Sequence, residues 1–507
     1  MPILPSILNR INHHRLSQID RFRVHPEEVQ MSVFHSLLSK AADTQWGRQY
    51  DYKTIASVKS YQSRVPVQSY EEIIPYIERL RNGEKDLLWP GEIKWFAKSS
   101  GTTSTKSKFI PVTKDSLTEC HYRGSKDVLA VYAHNKPDTK IFSGKGLILG
   151  GSHKINNFSN HSLYGDLSAI LMENAPLWVG FVRTPGKRIA LLEDFEEKLS
   201  QITRITVSRN VTNISGVPSW YLVLIKQILE YTGKSNLCDV WPNLEVFFHG
   251  GISFAPYREQ FKSFIRSEGM NYMETYNASE GFFGLQDDPA SNDMLLMLDL
   301  GVFYEFIPAE QVGSVNPAVL TIGEVKTGVS YALVISTNGG LWRYIIGDTI
   351  IFTGTKPHKF KISGRTKHFI NAFGEEVIID NAEKALDAAC METGALVVEY
   401  TAGPVYIGTE SKGSHEWLIE FEKTPDDLNK FISVLDDTLK SVNSDYEAKR
   451  FKDLNLVIPV VRPVPKGTFY KWLREKNKLG GQNKVPRLSN NREYIEELYR
   501  IIEVWST

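Results

Sequence analysis

The chain has 507 residues, 42% of them hydrophobic and 23% charged, which is the composition of a folded globular protein and excludes a disordered or fibrous one. Lysine plus arginine and aspartate plus glutamate each total 59, so there is no net field to hold nucleic acid or an anionic membrane surface, and neither is expected as a partner. No segment reaches the ~20 apolar residues of a membrane span, and the length implies several packing units fused into fewer domains.

The N-terminal stretch MPILPSILNRINHHRLSQIDRFR breaks its apolar character with prolines, histidines and arginines, unlike a secretory signal. The three cysteines, Cys120, Cys238 and Cys390, lie far apart with no CxxC pair, which predicts reduced thiols and a cytoplasmic protein. Up to about Tyr50 the pattern is helical, with Val29, Val33, Phe34, Leu37 and Leu38 on one stripe that reads as core. Further helices are expected over 189–202, with Leu192, Phe195, Leu199 and Ile202 on one face, and over 219–231 behind Gly216-Val217-Pro218. Short apolar runs such as LEVFFHGG, YALVIST and LVVEYTAG read as buried strands. Alternation of this kind predicts an α/β fold of layered sheets and helices. Apolar density falls across GTKPHKFKISGRTKH, which sets the expected boundary between a large domain, 1–364, and a smaller α/β domain, 365–507.

Chemistry-bearing stretches follow in chain order. In Lys98-Ser99-Ser100-Gly101-Thr102-Thr103, with Lys106 and Lys108 behind it, backbone N–H groups and hydroxyls could converge on phosphate oxygens while a lysine supplies charge. The same composition also describes a solvated loop, and no Walker sequence is present. Tyr276-Asn277-Ala278-Ser279-Glu280-Gly281 offers an aromatic ring and a carboxylate for a base and a magnesium ion, or a strand end turning through a serine. Leu341 to Asp348, LWRYIIGD, reads as a strand ending at Gly347-Asp348, where an aspartate can accept from the vicinal hydroxyls of ribose or simply form a turn. Lys466-Gly467-Thr468-Phe469 and the later GGQNKVPR, containing Lys484, place basic residues on glycine-rich turns, where most lysines are merely solvated.

With YEFIP at Tyr304 to Pro308 and GEVKTG at Gly323 to Gly328, these phrases stand in one order from about Lys98 to Arg487. In that order the chain closely resembles the acyl acid amido synthetases, the plant auxin-responsive family known as Gretchen Hagen three, and its bacterial relatives. The resemblance implies the fold of adenylate-forming enzymes, with a small C-terminal domain that moves between half-reactions. It implies ATP and magnesium, a carboxylic acid substrate and an amine acceptor, most naturally an amino acid, with the oligomeric state left open. Carried over, Ser99, Ser100, Gly101, Thr102, Thr103 and Lys108 would line the triphosphate. Gly250 and Gly251 would border the adenine pocket, Tyr276 would stack near adenine, Glu280 would hold magnesium and Asp348 the ribose. Arg365 would stand at the hinge and Lys484 would be the mobile catalytic lysine. For the acid, Tyr122, Arg123, Trp220 and Tyr221 are candidates only, each of which reads more readily as ordinary packing or surface. Ser104-Thr105-Lys106 departs from the usual glycine after the phosphate loop, and INAFGEEV departs from the plant pattern. An acyl-CoA synthetase and a silent acyl or nucleotide sensor are the rival expectations.

Overall fold

A computed structural model describes the chain except residues 1–2, 100–107, 151–155, 158–160, 177–178, 193, 252–253, 255–256, 366–368, 371–374, 376, 406–412, 444–445, 448–449, 451–455, 477–483, 490 and 507. The helical N-terminus is divided into Ile3–Val24, Pro26–Ala41 and Gln45–Gln49. Pro26 has no N–H to continue the first helix but suits the first turn of the second, and Thr44 caps the third by accepting from the N–H of Gly47 at 3.0 Å. Val29, Phe34, Leu37 and Leu38 are buried and Val33 is partly so, which makes the stripe core. The helix expected over 189–202 is instead two, Lys187–Ala190 and Phe195–Thr206. Asp194 ends the continuity, because its carboxylate accepts from the N–H of Glu197 at 2.7 Å and so starts a new helix. Pro218–Thr232 runs one residue beyond expectation at each end, closed by Gly233 at φ +64°. Among the described residues no helix is long and apolar enough to cross a membrane.

One mixed sheet of eleven strands organises most of the chain. In spatial order it runs Val302–Pro308, Ser330–Thr337, Tyr344–Thr355, His358–Arg365, Met294–Leu296, Gly281–Leu285, Asn271–Ala278, Val246–Gly250, Val211–Gly216, Lys145–Leu149 and Arg183–Thr184. Neighbours are antiparallel as far as Asn271–Ala278 and parallel from there on. The strands ending at Leu149, Gly216, Gly250 and Ala278 therefore present their carboxyl ends along one edge, the usual place for a ligand in such a sheet. A separate four-stranded sheet contains the hairpin Trp95–Ser99 and Lys108–Val112, in which Ser99 pairs with Lys108.

The C-terminal sheet joins Leu396–Val405, Ser414–Lys423 and Val460–Val464, flanked by Ile379–Thr393, Leu428–Val442, Thr468–Glu475 and Glu493–Ser506. Its two buried clusters draw only on residues from Ile370 onward. The two parts meet where Tyr470 packs against the apolar cluster that includes Tyr221 and Phe261, where Gln260 donates to the carbonyl of Val397 at 2.8 Å, and where Lys226 pairs with Glu422 at 2.6 Å.

An ion pair deep in the larger part fixes the turn into Tyr344–Thr355. Arg343 holds φ +45° and donates through Nε to Glu305 Oε2 at 2.9 Å, with both side chains almost fully buried. Its Nη1 donates to the carbonyls of Gln62 and Val65, and Gln62 donates to the other oxygen of Glu305. Removing one partner from such a pair strands an uncompensated charge at about 3–5 kcal/mol. Glu305→Ala should therefore lower the unfolding free energy by about that amount, read as a lower urea midpoint for the large part of the chain.

Candidate active site

The hairpin of Asn271–Ala278 and Gly281–Leu285 turns through Ser279 and Glu280 at the carboxyl edge of the sheet. Tyr276 is buried, packs edge-on against Phe283, and donates its hydroxyl to Asp348 Oδ2. Asp348 does not end a strand, contrary to the sequence expectation. It lies inside Tyr344–Thr355, where the register slips: Ile345 pairs with Val334 but Thr349 pairs with Ala332. Extra residues on this side make a bulge, Gly347 adopts φ +91°, and the bulge aims Asp348 toward Tyr276.

Lys108 donates from Nζ to the hydroxyl of Tyr344 at 3.2 Å and lies 5.6 Å from the ring centre of Tyr70. The hydroxyl of Tyr70 accepts from the N–H of Phe109 at 2.7 Å, tying the second strand of the hairpin to the helix Tyr70–Arg81. Burial first, and then the nearby carboxylate of Glu280, pushes the Tyr344 phenol well above the ordinary tyrosine range, so it stays protonated. Lys108, Tyr70, Tyr344, Glu280, Tyr276 and Asp348 thus form one connected group. Tyr70 and Tyr344 had no role in the sequence reading; their signal, an aromatic on either side of a motif lysine, appears only when the strands are paired.

Gly250 ends its strand so close to the neighbouring one that a Cβ there would lie 2.3 Å from the carbonyl oxygen of Thr275. Gly251 follows at φ +84°, a conformation that side chains rarely adopt, and a Cβ on it would lie 3.6 Å from Nζ of Lys484. Lys484, from the C-terminal part, therefore stands at the same carboxyl edge as Glu280. Of Ser99 and Arg365 only the backbone is described: Ser99 pairs with Lys108, and Arg365 pairs with Asp348 across the two long strands. Ser100, Gly101, Thr102 and Thr103 lie outside the described residues.

The acid candidates separate. Tyr221 is fully buried, donates to the carbonyl of Leu147 at 2.7 Å and accepts from the N–H of Ser215, which makes it a packing residue. Arg123 binds Asp299 at 3.2 Å and Gln18 at 3.0 Å, bracing its helix against the N-terminal one. Tyr122 donates to the carbonyl of Leu171 at 2.7 Å, and burial raises its phenol to about 12. Trp220 is partly buried in the first turn of Pro218–Thr232, directly beyond the interior strand that ends at Gly216.

Models of the GH3 family match in succession, the N-terminal domain over residues 15–270, the central domain over 295–365 and the C-terminal domain over 380–493. The chain belongs to the GH3 family. Its similarity to the indole-3-acetic acid-amido synthetase GH3.3 of Arabidopsis thaliana is 24% identity, covering 90% of this chain and 89% of that protein. For GH3.8 of Oryza sativa subsp. indica it is 24%, covering 93% and 90%. The structure of GH3.15 acyl acid amido synthetase superposes with a TM-score of 0.79 at 20% identity, covering 96% of this chain and 95% of that one. That of 2-hydroxyisobutyryl-CoA ligase does so with 0.57 at 12%, covering 94% and 91%. This GH3 chain therefore has the fold shared by amido synthetases and acyl-CoA ligases.

Beside the site, His121 contacts Asn277 Oδ1 at 3.0 Å and is fully buried, which lowers its pKa to about 4 from the ordinary 6.5. Because the folded pKa is the lower one, its contribution to stability is complete above pH 6.5 and is lost as pH falls toward 4. Between pH 7 and 4.5 the parent should lose about 2 kcal/mol more unfolding free energy than His121→Gln, measured by urea titration at both values.

Proposed function

We propose that this chain is an ATP-dependent ligase that adenylates a carboxylic acid and passes the acyl group to an amine, most naturally of an amino acid. What supports this is Glu280 just beyond the strand Asn271–Ala278, Lys484 from the C-terminal part against Gly251 just beyond the neighbouring strand, and Asp348 bonded to Tyr276. Membership of the GH3 family supports it, since its plant relatives are named amido synthetases.

In this mechanism a carboxylate oxygen attacks the α-phosphorus of ATP, pyrophosphate leaves, and the amine nitrogen then attacks the acyl carbon with AMP as the leaving group. The first step brings anions together, so its barrier falls when cations are placed in advance. Lys108 and Lys484 act in this way. Ser99, Ser100, Gly101, Thr102 and Thr103 would cradle the phosphates, Gly250, Gly251 and Tyr276 would border adenine, and Asp348 would accept from the ribose hydroxyls. Arg365 would act at the hinge. Among the described residues no cluster of three or more His, Cys, Asp or Glu could cage a metal. The fit is instead that of magnesium held by one carboxylate, Glu280, together with substrate phosphates, where it would neutralise charge on them. Residues 1–364 would serve adenylation and 365–507 would be the mobile domain. The unpaired thiols of Cys120, Cys238 and Cys390 suit a reducing, cytoplasmic setting.

The test is acid-dependent exchange of pyrophosphate into ATP over a panel of carboxylic acids that begins with indole-3-acetic acid, followed by product masses with amino acids and with CoA. A thioester product in place of an amide would make the chain an acyl-CoA synthetase, and no exchange with any acid would remove the ligase reading. Lys484→Ala should leave ATP affinity intact and cut exchange about a hundredfold, on the order of 3 kcal/mol of transition-state stabilisation. Equal exchange rates would free this lysine from the chemistry. Asp348→Ala should weaken ATP binding about tenfold or more through lost charge-assisted hydrogen bonds. Calorimetry showing unchanged ATP affinity in the folded variant would take the ribose away from Asp348.

A further inference from the structure

Lys484 is held from two directions, one within its own domain and one from the larger part of the chain. Just after it, the chain runs alongside the strand Leu396–Val405: Ala402 donates to the carbonyl of Arg487 at 2.8 Å, Ser489 donates back to Ala402 at 3.0 Å, and Thr401 donates to the carbonyl of Pro486 at 2.6 Å. These bonds anchor 486–489 to the small domain. Arg487 then reaches outward. Its Nε lies 3.1 Å from Glu399 Oε1, its guanidinium lies 4.6 Å from the ring centre of Tyr400, and its Nη2 donates to the hydroxyl of Tyr257 at 2.8 Å.

Tyr257 belongs to the large domain and is 1% exposed. It stands in the connection that leads from Gly251 to the helix Arg258–Phe264, on which Gln260 donates to Val397. Two short segments thus meet at two points, Lys484 against Gly251 and Arg487 against Tyr257. A single contact between two bodies leaves their relative rotation free, whereas a second removes all but the turn about the line joining the two, which Gln260 against Val397 opposes. Arg487 is suited to this because a guanidinium fork serves a carboxylate and a phenol at once, which an ammonium point charge cannot do in the same geometry.

We propose that Arg487, through Tyr257, is the positioning residue that registers Lys484 against Gly251. The inference rests on the assignment of Lys484 to adenylation. It predicts that loss of the bridge affects the first half-reaction and spares the second, because transfer from a preformed acyl-adenylate does not call on Lys484. A residue needed merely for folding would damage both.

Tyr257→Phe removes one oxygen and leaves the packed ring, and Arg487→Lys keeps the charge beside Glu399. Two measurements are made on the full chain. The rate at which an amine-reactive reagent modifies Lys484, followed by peptide mass spectrometry, reads the register without any catalysis. Pyrophosphate exchange and amide formation from synthetic acyl-adenylate then read the two half-reactions. In each variant Lys484 should be modified roughly tenfold faster and exchange should fall roughly tenfold, with transfer from the adenylate at the parental rate; the melting temperature should stay at the parental value in Tyr257→Phe, whereas Arg487→Lys also gives up its fork on Glu399 and Tyr400. The double variant should be no worse than either single one, since both remove the same contact. Unchanged labelling in Tyr257→Phe overturns the proposal, and so does an equal fall in both half-reactions. Faster labelling in a protein whose parent exchanges with no acid upholds the register and removes the ligase reading instead.

Discussion

The buried pair of Glu305 and Arg343 is the constraint on which the site's geometry depends. Arg343 occupies a left-handed backbone conformation that a side chain rarely adopts, and it is kept there by a carboxylate and two carbonyls to which its guanidinium donates. The strand that follows begins at Tyr344, so the direction of that turn sets where Tyr344 meets Lys108 and where Asp348 meets Tyr276. Gln68 reinforces it by pairing with the backbone on both sides of Tyr344, which carries the same constraint into the helix Tyr70–Arg81. A charge pair is costly to bury, and here its return is direction more than affinity.

How much of this was legible in the sequence depended on the range of the interaction. Helix starts and the long apolar strands are local, and the runs around Val246–Gly250, Ser330–Thr337 and Leu396–Val405 appear as expected. The break at Asp194 was missed because the apolar face continues through it, and periodicity outweighed a capping residue. The role of Gly347-Asp348 was half visible: a glycine and an aspartate signalled an irregularity, but the sequence could not distinguish a strand that stops from one that bulges, since the difference lies in the partner strand. Tyr70 and Tyr344 were illegible for the same reason, being more than two hundred residues apart in the chain and brought together around Lys108 by the fold. Tyr221 and Arg123 show the converse, residues of promising chemistry whose polar atoms are already engaged by the fold.

The electrostatics of the edge follow from this arrangement. Carboxylates at Glu280 and Asp348 stand near a phenol that burial and their own charge keep protonated, so no proton on Tyr344 is available near neutral pH. The positive charge comes from Lys108 on the hairpin and Lys484 on the other domain, and the two reach the site on different structural elements. A field assembled from separate elements could be present for one step and absent for the next, which would suit the two-step ligase proposed above.

The bulge that carries Asp348 makes the sheet a counting device. Along a strand, side chains alternate between faces, so the number of residues between Tyr344 and Asp348 determines which face the aspartate takes. Four steps from Ile345 to Thr349 face two on the partner strand, so removal of a single residue from Ile345 to Gly347 would leave one extra residue instead of two and turn the carboxylate to the opposite side, while leaving every motif letter on either side of the gap intact. Relatives in which that spacing differs by one would therefore keep the motif and lose its geometry, and parity, as much as identity, is the quantity to compare when sequences of this family are aligned.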